Sequence, residues 1–363
     1  MKPFPLIEVS GPAYERGFQH GRAGGDLIWR YVSILRQSRT DAAQARGVGP
    51  EAAEIDDDEL ARRALLFLPW FERFAPEQVE EIRGIAAGAG LPFGLALLAN
   101  VRGEVFRAAV QPVGCTAVAL GRQATADGAI LLGQNQDQSP AMQDLVVILR
   151  VIPERGPRIL MATFGGLIGY GGINSAGVGH MMNALANSTW RMGLPHYPLK
   201  RALLEQTDLA SCLGLYARAP VCSSANQVLV DRDQVADLEL VPEGPERLEP
   251  HTWAGDYVVH TNHFLSERLV ADEQYLPRLP DSMPRYRRME ALIRERYGRL
   301  TLSDLKAFFA DHAGFPQSIC RHAEAGNGGA MKSIYSVIGE PDRGRLHVSA
   351  GNPCESEYFT YEL

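Results

Sequence analysis

At Gly114-Cys115-Thr116 the chain changes character. Before it, Ala-rich and Leu-rich stretches repeat with the spacing of amphipathic helices. After it come short apolar and β-branched runs divided by Gly, Asn and Asp turns, the pattern of strands. Leu6-Ile7-Glu8-Val9 reads as a short strand, and Ser10-Gly11-Pro12 opens a helix with Pro12 in its first turn. Helical patterns follow at 58–69, 77–89 and 94–110. Beyond Cys115, strands are expected at 115–120, 129–132, 145–152, 158–164, 178–185, 227–231, 237–241 and 256–261. Ala124-Thr125-Ala126-Asp127-Gly128 joins the first two as a hairpin. Helices at 199–217, 284–297 and 302–312 precede further strands at 333–339, 345–350 and 357–362. Strands, helices and strands again predict an α+β fold, sheets with helices outside.

With 363 residues and 45% apolar content, the chain can bury a large core in one domain or two. The net charge of −7 is spread along the sequence without a basic stripe, so no nucleic-acid partner is expected. No apolar run reaches the roughly 18 to 20 residues of a membrane helix, and the N-terminus lacks the apolar region of a signal peptide. Five cysteines without paired spacing fit free thiols in a reducing cytoplasm.

Several clusters bear chemistry. Gly114 permits unusual backbone angles beside Cys115. The thiol there could attack the preceding carbonyl, shift the acyl group from N to S, and let water release the upstream fragment. Cys115 would then carry an α-amine with a reference pKa of about 7.7 to 8.0, so one residue supplies nucleophile and base. Taken alone, a strand cysteine reads as a small buried hydrophobe. In Gly133-Gln134-Asn135-Gln136-Asp137, expected at a strand end, Asp137 could orient the new amine and Asn135 could bond substrate or the thiol's surroundings; the alternative is a polar turn. Asn262 follows the strand Tyr257-Val258-Val259-His260, where its amide suits an oxyanion donor. His260 and His263 straddle that strand end and lack a Cys-x-x-Cys or His-Glu-x-x-His partner, so no metal is expected. Asn174-Ser175-Ala176-Gly177 reads as a structural hairpin turn, with Phe164, Tyr170 and Asn183 as candidate pocket residues. Arg285, in the first turn of a helix that Pro284 would open, conflicts with the helix dipole and hints at another role.

In this order, the blocks resemble the acyl-coenzyme A:6-aminopenicillanic acid acyltransferase family, which includes autoproteolytic peptidases and amide hydrolases. Gly11-Pro12-Ala13-Tyr14-Glu15-Arg16-Gly17-Phe18-Gln19-His20-Gly21 is similar to its N-terminal signature, and Gly114-Cys115-Thr116 to its cleavage site. Gly133–Asp137 resembles its Gly-Gln-Asn-Trp-Asp segment, with Gln136 in place of the aromatic residue. Asn174–Gly177 and Thr261-Asn262-His263 match two further blocks. The resemblance implies an Ntn-hydrolase αββα four-layer sandwich with a mainly helical N-terminal region. Cleavage would give a helical segment, 1–114, and a core, 115–363, that stay associated as one folded unit. The resemblance also carries over a nucleophile at Cys115, an acid at Asp137 and an oxyanion amide at Asn262. Arg285 is similar to an arginine near the nucleophile of related choloylglycine-type hydrolases. The expected reaction acts on a small amide or thioester through a thioester acyl-enzyme, without a cofactor. An acyl-coenzyme A could serve as substrate, although no stretch of sequence identifies a site for it. Two rivals remain: a cysteine hydrolase that never cleaves itself, using His263 or His180, and a non-catalytic ligand-binding protein.

Overall fold

The computed structural model describes residues 2–44, 56–106, 113–248, 256–323 and 331–363. Strand β1 (Leu6–Gly11) leads into α1 (Ala13–Gln44), and α2 (Asp57–Leu65), α3 (Leu68–Phe74), α4 (Pro76–Ala89), α5 (Phe93–Ala99) and α6 (Arg102–Phe106) complete the helical N-terminal region. The end of the helical stretch expected to reach residue 110 lies outside the described residues. No single helix among the described residues is long and apolar enough to cross a membrane.

The glycines of the N-terminal block explain how this region packs. A Cβ on Gly17 would lie 1.9 Å from the Glu81 carbonyl oxygen, and one on Gly21 would lie 2.3 Å from that of Ile85. A Cβ on Gly84 or Gly88 of α4 would likewise lie 2.0 Å from the Tyr14 and 2.3 Å from the Phe18 carbonyl oxygen. Helices α1 and α4 therefore touch backbone to backbone. Between them lies a buried ion cluster. Glu81 accepts from Arg16 Nη2 at 3.1 Å and from Arg201 Nη1 and Nη2 at 2.9 and 3.1 Å. Burial pushes the Glu81 carboxyl up, but the two guanidiniums outweigh it and hold its pKa below the usual value.

After Gly114 the chain builds two sheets. Strands β2 (Gly114–Leu120), β3 (Leu131–Gln138), β4 (Val146–Pro153), β5 (Ile159–Phe164), β6 (Gly172–Asn174) and β7 (Gly179–Ala184) precede α7 (His196–Leu204) and α8 (Leu209–Tyr216). Then follow β8 (Ala225–Val230), β9 (Val235–Val241), β10 (Gly244–Leu248), β11 (Tyr257–His260), α9 (Ser282–Arg296), α10 (Leu302–Phe309), β12 (Lys332–Glu340), β13 (Arg345–Ser349) and β14 (Tyr358–Glu362). One sheet has the order β1-β4-β5-β6-β7-β8-β9-β10 and the other β11-β2-β3-β12-β13-β14. Among the described residues, these strands pair antiparallel except β1 with β4. Strands β2 and β3 lie against β7, so the sheets meet face to face. Helices α1 and α7 cover the first sheet, and α9 and α10 the second. The result is a four-layer αββα sandwich of the α+β class.

Two expectations need correction, and two strands are additions to them. The segment 133–137 does not follow a strand end; it lies inside β3. Its polar side chains are buried because both neighbouring layers offer partners: Gln134 bonds the Met182 carbonyl on the facing sheet, and Asn135 bonds the Phe309 and Ile319 carbonyls on the helix side. The 199–217 helix is two helices, broken at Asp208, whose carboxylate caps the second by accepting from the Ser211 N–H at 2.7 Å. Strands β6 and β10 were not anticipated, the first because three residues are too short for a period to register.

Candidate active site

Cys115 is the second residue of β2 and is 3% exposed. Gly114 does not use the freedom of backbone angle that glycine offers; it is a strand residue without a positive φ, in register with Asp137 of β3. Its need for glycine is spatial, since a Cβ would lie 2.9 Å from Asp137 Oδ2. Upstream, the Tyr275 hydroxyl accepts from the Val113 N–H at 2.8 Å and donates to the Val113 carbonyl at 2.9 Å. The segment entering Cys115 is thus held on both its polar groups.

Asn262 holds Cys115 from the other side. Its Oδ1 accepts the Cys115 backbone N–H at 2.9 Å, and its Nδ2 stands 3.7 Å from Cys115 Sγ while donating to the Ala184 carbonyl at 3.1 Å. The backbone of Asn262 is fixed by the Ser282 hydroxyl, which accepts its N–H at 2.7 Å. Burial pushes the Cys115 thiol up to about 11, against hydrogen bonds from the Ala184 backbone and the Asn262 amide that favour the thiolate.

Arg285 is fully enclosed. It donates to the Cys115 carbonyl at 2.7 Å, to Thr116 Oγ1 at 3.0 Å and to Asn262 Oδ1 at 2.9 Å. Asp281, the residue that caps the start of α9, accepts from its Nε at 2.7 Å and resolves the dipole conflict seen in sequence. Asp281 also pairs with Arg321, whose Nε lies 3.6 Å from Asp137 Oδ2. Two arginines and two aspartates therefore alternate in a buried chain from the Cys115 carbonyl round to Asp137. Ser333 donates to Asp137 Oδ1 at 2.6 Å, while Asp137 Oδ2 is buried without a hydrogen bond. Burial raises the Asp137 pKa, and Arg321, Arg285 and Ser333 oppose the rise.

Not every sequence candidate gathers here. Strand alternation sets Asn135 on the helix-facing side of β3, and its amide is committed to two carbonyls, so it supports the fold and not the thiol. Asn183 donates to the His260 carbonyl at 3.3 Å. Phe164 and Tyr170 meet edge to face at 5.4 Å within a buried cluster that includes Tyr31 and Tyr197. Asn174 is structural, its Oδ1 accepting from Ala176 and Val178 and its Nδ2 donating to Leu204 and Gln206. Neither histidine of the rival reading bonds Cys115: His180 pairs with Gln227, and His263 with Ser282 at 2.8 Å.

Sequence reasoning missed Asp281, Arg321, Ser333, Tyr275 and Lys200. Lys200 of α7 is buried against the Tyr197 and Tyr170 rings, 4.5 and 5.2 Å from their centroids. Burial pushes its ammonium down to about 7, although Glu104 pulls it up. Charge on Cys115 acts on Lys200 and on the hydroxyls of Tyr170 and Tyr335, so of the aromatic candidates Tyr170 does border the site. Tyr335 also stands in register with Gln136, beside the position where the aromatic residue of the resembled segment is missing. A cavity of about 540 Å³ lies elsewhere, among Trp70, Phe74, Tyr216 and Arg218, and shares no lining residue with this cluster.

Comparison with known proteins gives related findings. The model of a family described as acyl-coenzyme A:6-aminopenicillanic acid acyl-transferase matches residues 124–355. The 40 kDa form of acyl-coenzyme A:6-aminopenicillanic-acid-acyltransferase from Emericella nidulans is 30% identical, covering 98% of this chain and 96% of its own. Among solved structures, a mutant of conjugated bile acid hydrolase from Clostridium perfringens is similar at 13% identity and TM-score 0.46, over 69% of this chain and 97% of its own. Penicillin V acylase from Agrobacterium tumefaciens is similar at 12% identity and TM-score 0.42, over 69% and 86%.

Proposed function

The chain belongs to the acyl-coenzyme A:6-aminopenicillanic acid acyl-transferase family, and on that premise we propose that it is a self-cleaving amidohydrolase or acyltransferase with an N-terminal cysteine nucleophile. The observation that carries this reading is the grip of one side chain, Asn262, on both the nitrogen and the sulfur of Cys115. The buried chain from Arg285 to Asp137 supports it, because it surrounds the peptide that would be cut.

In the first step the Cys115 thiol adds to the Gly114 carbonyl. The C–N bond breaks, nitrogen takes the proton, and Gly114 is held as a thioester on Sγ. Water then releases the Gly114 carboxylate and restores the thiol. Fragments of 114 and 249 residues result. They remain one unit because Glu81, upstream of the cut, is clasped by Arg201, downstream of it. The new α-ammonium keeps Asn262 Oδ1 as acceptor and would lie near Asp137 Oδ2, which has no hydrogen bond of its own.

In turnover the Cys115 amine takes the thiol proton and the thiolate attacks an amide or thioester carbonyl. Asn262 Nδ2 and the Ala184 backbone, already at the sulfur, are the groups placed to receive charge on the acyl oxygen. Collapse expels the amine or thiol and leaves a thioester acyl-enzyme, which water or an acceptor amine resolves. Acyl-coenzyme A and 6-aminopenicillanic acid are the acyl donor and acceptor in the relative's name; here the proposed substrate class is the broader one of small amides and thioesters.

Intact mass and N-terminal sequencing of the purified protein test the cleavage. Two fragments are expected, the larger beginning at Cys115, and a homogeneous 39.8 kDa chain that hydrolyses amides would sink it. Asn262→Ala is expected to lower kcat by about 10² to 10³ through loss of an oxyanion donor. An unchanged kcat would remove Asn262 from the mechanism. The pH profile separates the bases. An α-amine accepts a proton only when neutral, so kcat/KM should rise through about 7.7 to 8.0 and then level. A profile still climbing toward 11, where burial places the thiol of the uncut chain, would mean that the amine is not the base.

A further inference from the structure

Three side chains of one connection and a fourth from 32 residues further along the chain come together near the C-terminal strands. His312, Cys320 and His322 come from the connection between α10 and β12, and Cys354 from the connection between β13 and β14. Their ligand atoms all lie within 4.8 Å of one another. The separations are more telling than the composition. His312 Nε2 and His322 Nε2 are 3.1 Å apart, and Cys320 Sγ and Cys354 Sγ 3.5 Å. His322 Nε2 lies 3.6 Å from Cys320 Sγ and 3.3 Å from Cys354 Sγ. A zinc ion with Zn–S of about 2.3 Å and Zn–N of about 2.0 to 2.1 Å in a tetrahedron has ligand-to-ligand edges of about 3.3 to 3.8 Å. Four of the six separations fall in that range or within 0.2 Å of it, and the two between His312 and the sulfurs are below 4.8 Å.

We propose that His312, Cys320, His322 and Cys354 form a Cys2His2 structural zinc site. Two thiolates and two imidazoles select a borderline-soft ion that accepts tetrahedral geometry, and four protein ligands leave no position for water, which makes the site structural and not catalytic. The surroundings are those of a metal site. Asn352 Nδ2 donates to Cys320 Sγ at 3.6 Å, and the Glu355 carboxylate lies 3.8 Å from Nδ1 of His322, on the side of the ring away from the proposed ion. Phe315 covers both imidazoles, its ring centroid 5.9 Å from that of His312 and 5.3 Å from that of His322. Both cysteines are free thiols. Binding replaces their two protons, so one Zn²⁺ enters and two protons leave.

The site has a clear task. Arg321 sits between two of its ligands, and Arg321 is the residue that joins Asp281 to the neighbourhood of Asp137. Asn352 also donates to the Arg321 carbonyl at 2.7 Å. Zinc would clamp this loop to the β13–β14 connection and hold the Arg321 guanidinium in place. The proposal rests on ligand geometry alone and stands whether or not Cys115 is a nucleophile.

Elemental analysis of the full-length protein, purified without a metal-binding tag or chelator, is the test. About one zinc per chain is expected in wild type and in Cys212→Ser, a buried thiol outside the cluster, with less than a tenth of that in Cys354→Ser and in His312→Ala. Cobalt(II) added to reduced, metal-free wild type gives a second reading that needs no variant: intense visible d–d bands and near-ultraviolet thiolate-to-cobalt charge transfer mark a tetrahedral site. Wild type that neither carries zinc nor develops these bands overturns the proposal. So does retention of zinc in both ligand variants, or a thiol count showing Cys320 and Cys354 joined as a disulfide in the freshly purified protein.

Discussion

Cys115→Ala is expected to leave a single 39.8 kDa chain and to lower kcat toward amide and thioester substrates by about 10⁵-fold or more, the scale seen when a covalent nucleophile is removed. The size follows from the division of labour at this residue. Its sulfur forms the covalent intermediate and its nitrogen is the proposed base, so the substitution removes the first and, by blocking cleavage, withholds the second. The fold should survive. Alanine is smaller than cysteine, the strand hydrogen bonds are made by backbone, and Asn262 Oδ1 still receives the residue-115 N–H. The variant should therefore unfold close to wild type, which separates lost chemistry from lost structure. Full amidase activity in Cys115→Ala would dismiss Cys115 as nucleophile, and two fragments would dismiss its thiol as the cleaving group.

The second large effect concerns stability. Glu81→Ala strips the shared carboxylate from Arg16 and Arg201, which are 5% and 0% exposed. Breaking a buried pair by removing one partner costs about 3 to 5 kcal/mol, because a charge is left in low dielectric without compensation. Glu81 also connects the two sides of the proposed cleavage point, so the loss should appear as fragments separating in mild denaturant. Arg201 keeps Glu205 at 2.9 Å, so the stranded charge is Arg16, and adding Arg16→Met to Glu81→Ala should recover part of the stability. A loss below about 1 kcal/mol in denaturant unfolding would show that the cluster contributes little, as exposed pairs do.

How much of this was legible beforehand depended on the kind of signal. Asn262 was legible because an amide just past an apolar strand has no obvious core role. Arg285 was legible because a cation in a helix's first turn opposes the dipole, and the structure explains the conflict through Asp281 and the Cys115 carbonyl. Asn135 was misjudged because a two-residue period states that neighbours face opposite ways without saying which way is in; the amide turned out to face α10. No local pattern sets Asp281 or Arg321 apart from the other charged residues of the chain. Only their approach to one another, across 40 residues of chain, turns them into a buried pair. The His312, Cys320, His322 and Cys354 group is irregularly spaced, with no local motif, so counting cysteines could not reveal it.

The sequence by itself determined the order of elements, the place where helix gives way to strand, and the family, because local periodicity, turn chemistry and ordered motifs are all written along one dimension. Tertiary structure alone decided which side chains share a space. It laid β3 beside β2 so that Asp137 meets Gly114, and carried Asn262 to both the nitrogen and the sulfur of Cys115. It also closed the chain of charge from Arg285 to Asp137. The physical reason is that burial and pairing depend on contacts between residues tens to hundreds of positions apart, and desolvation acts only once those contacts have excluded water.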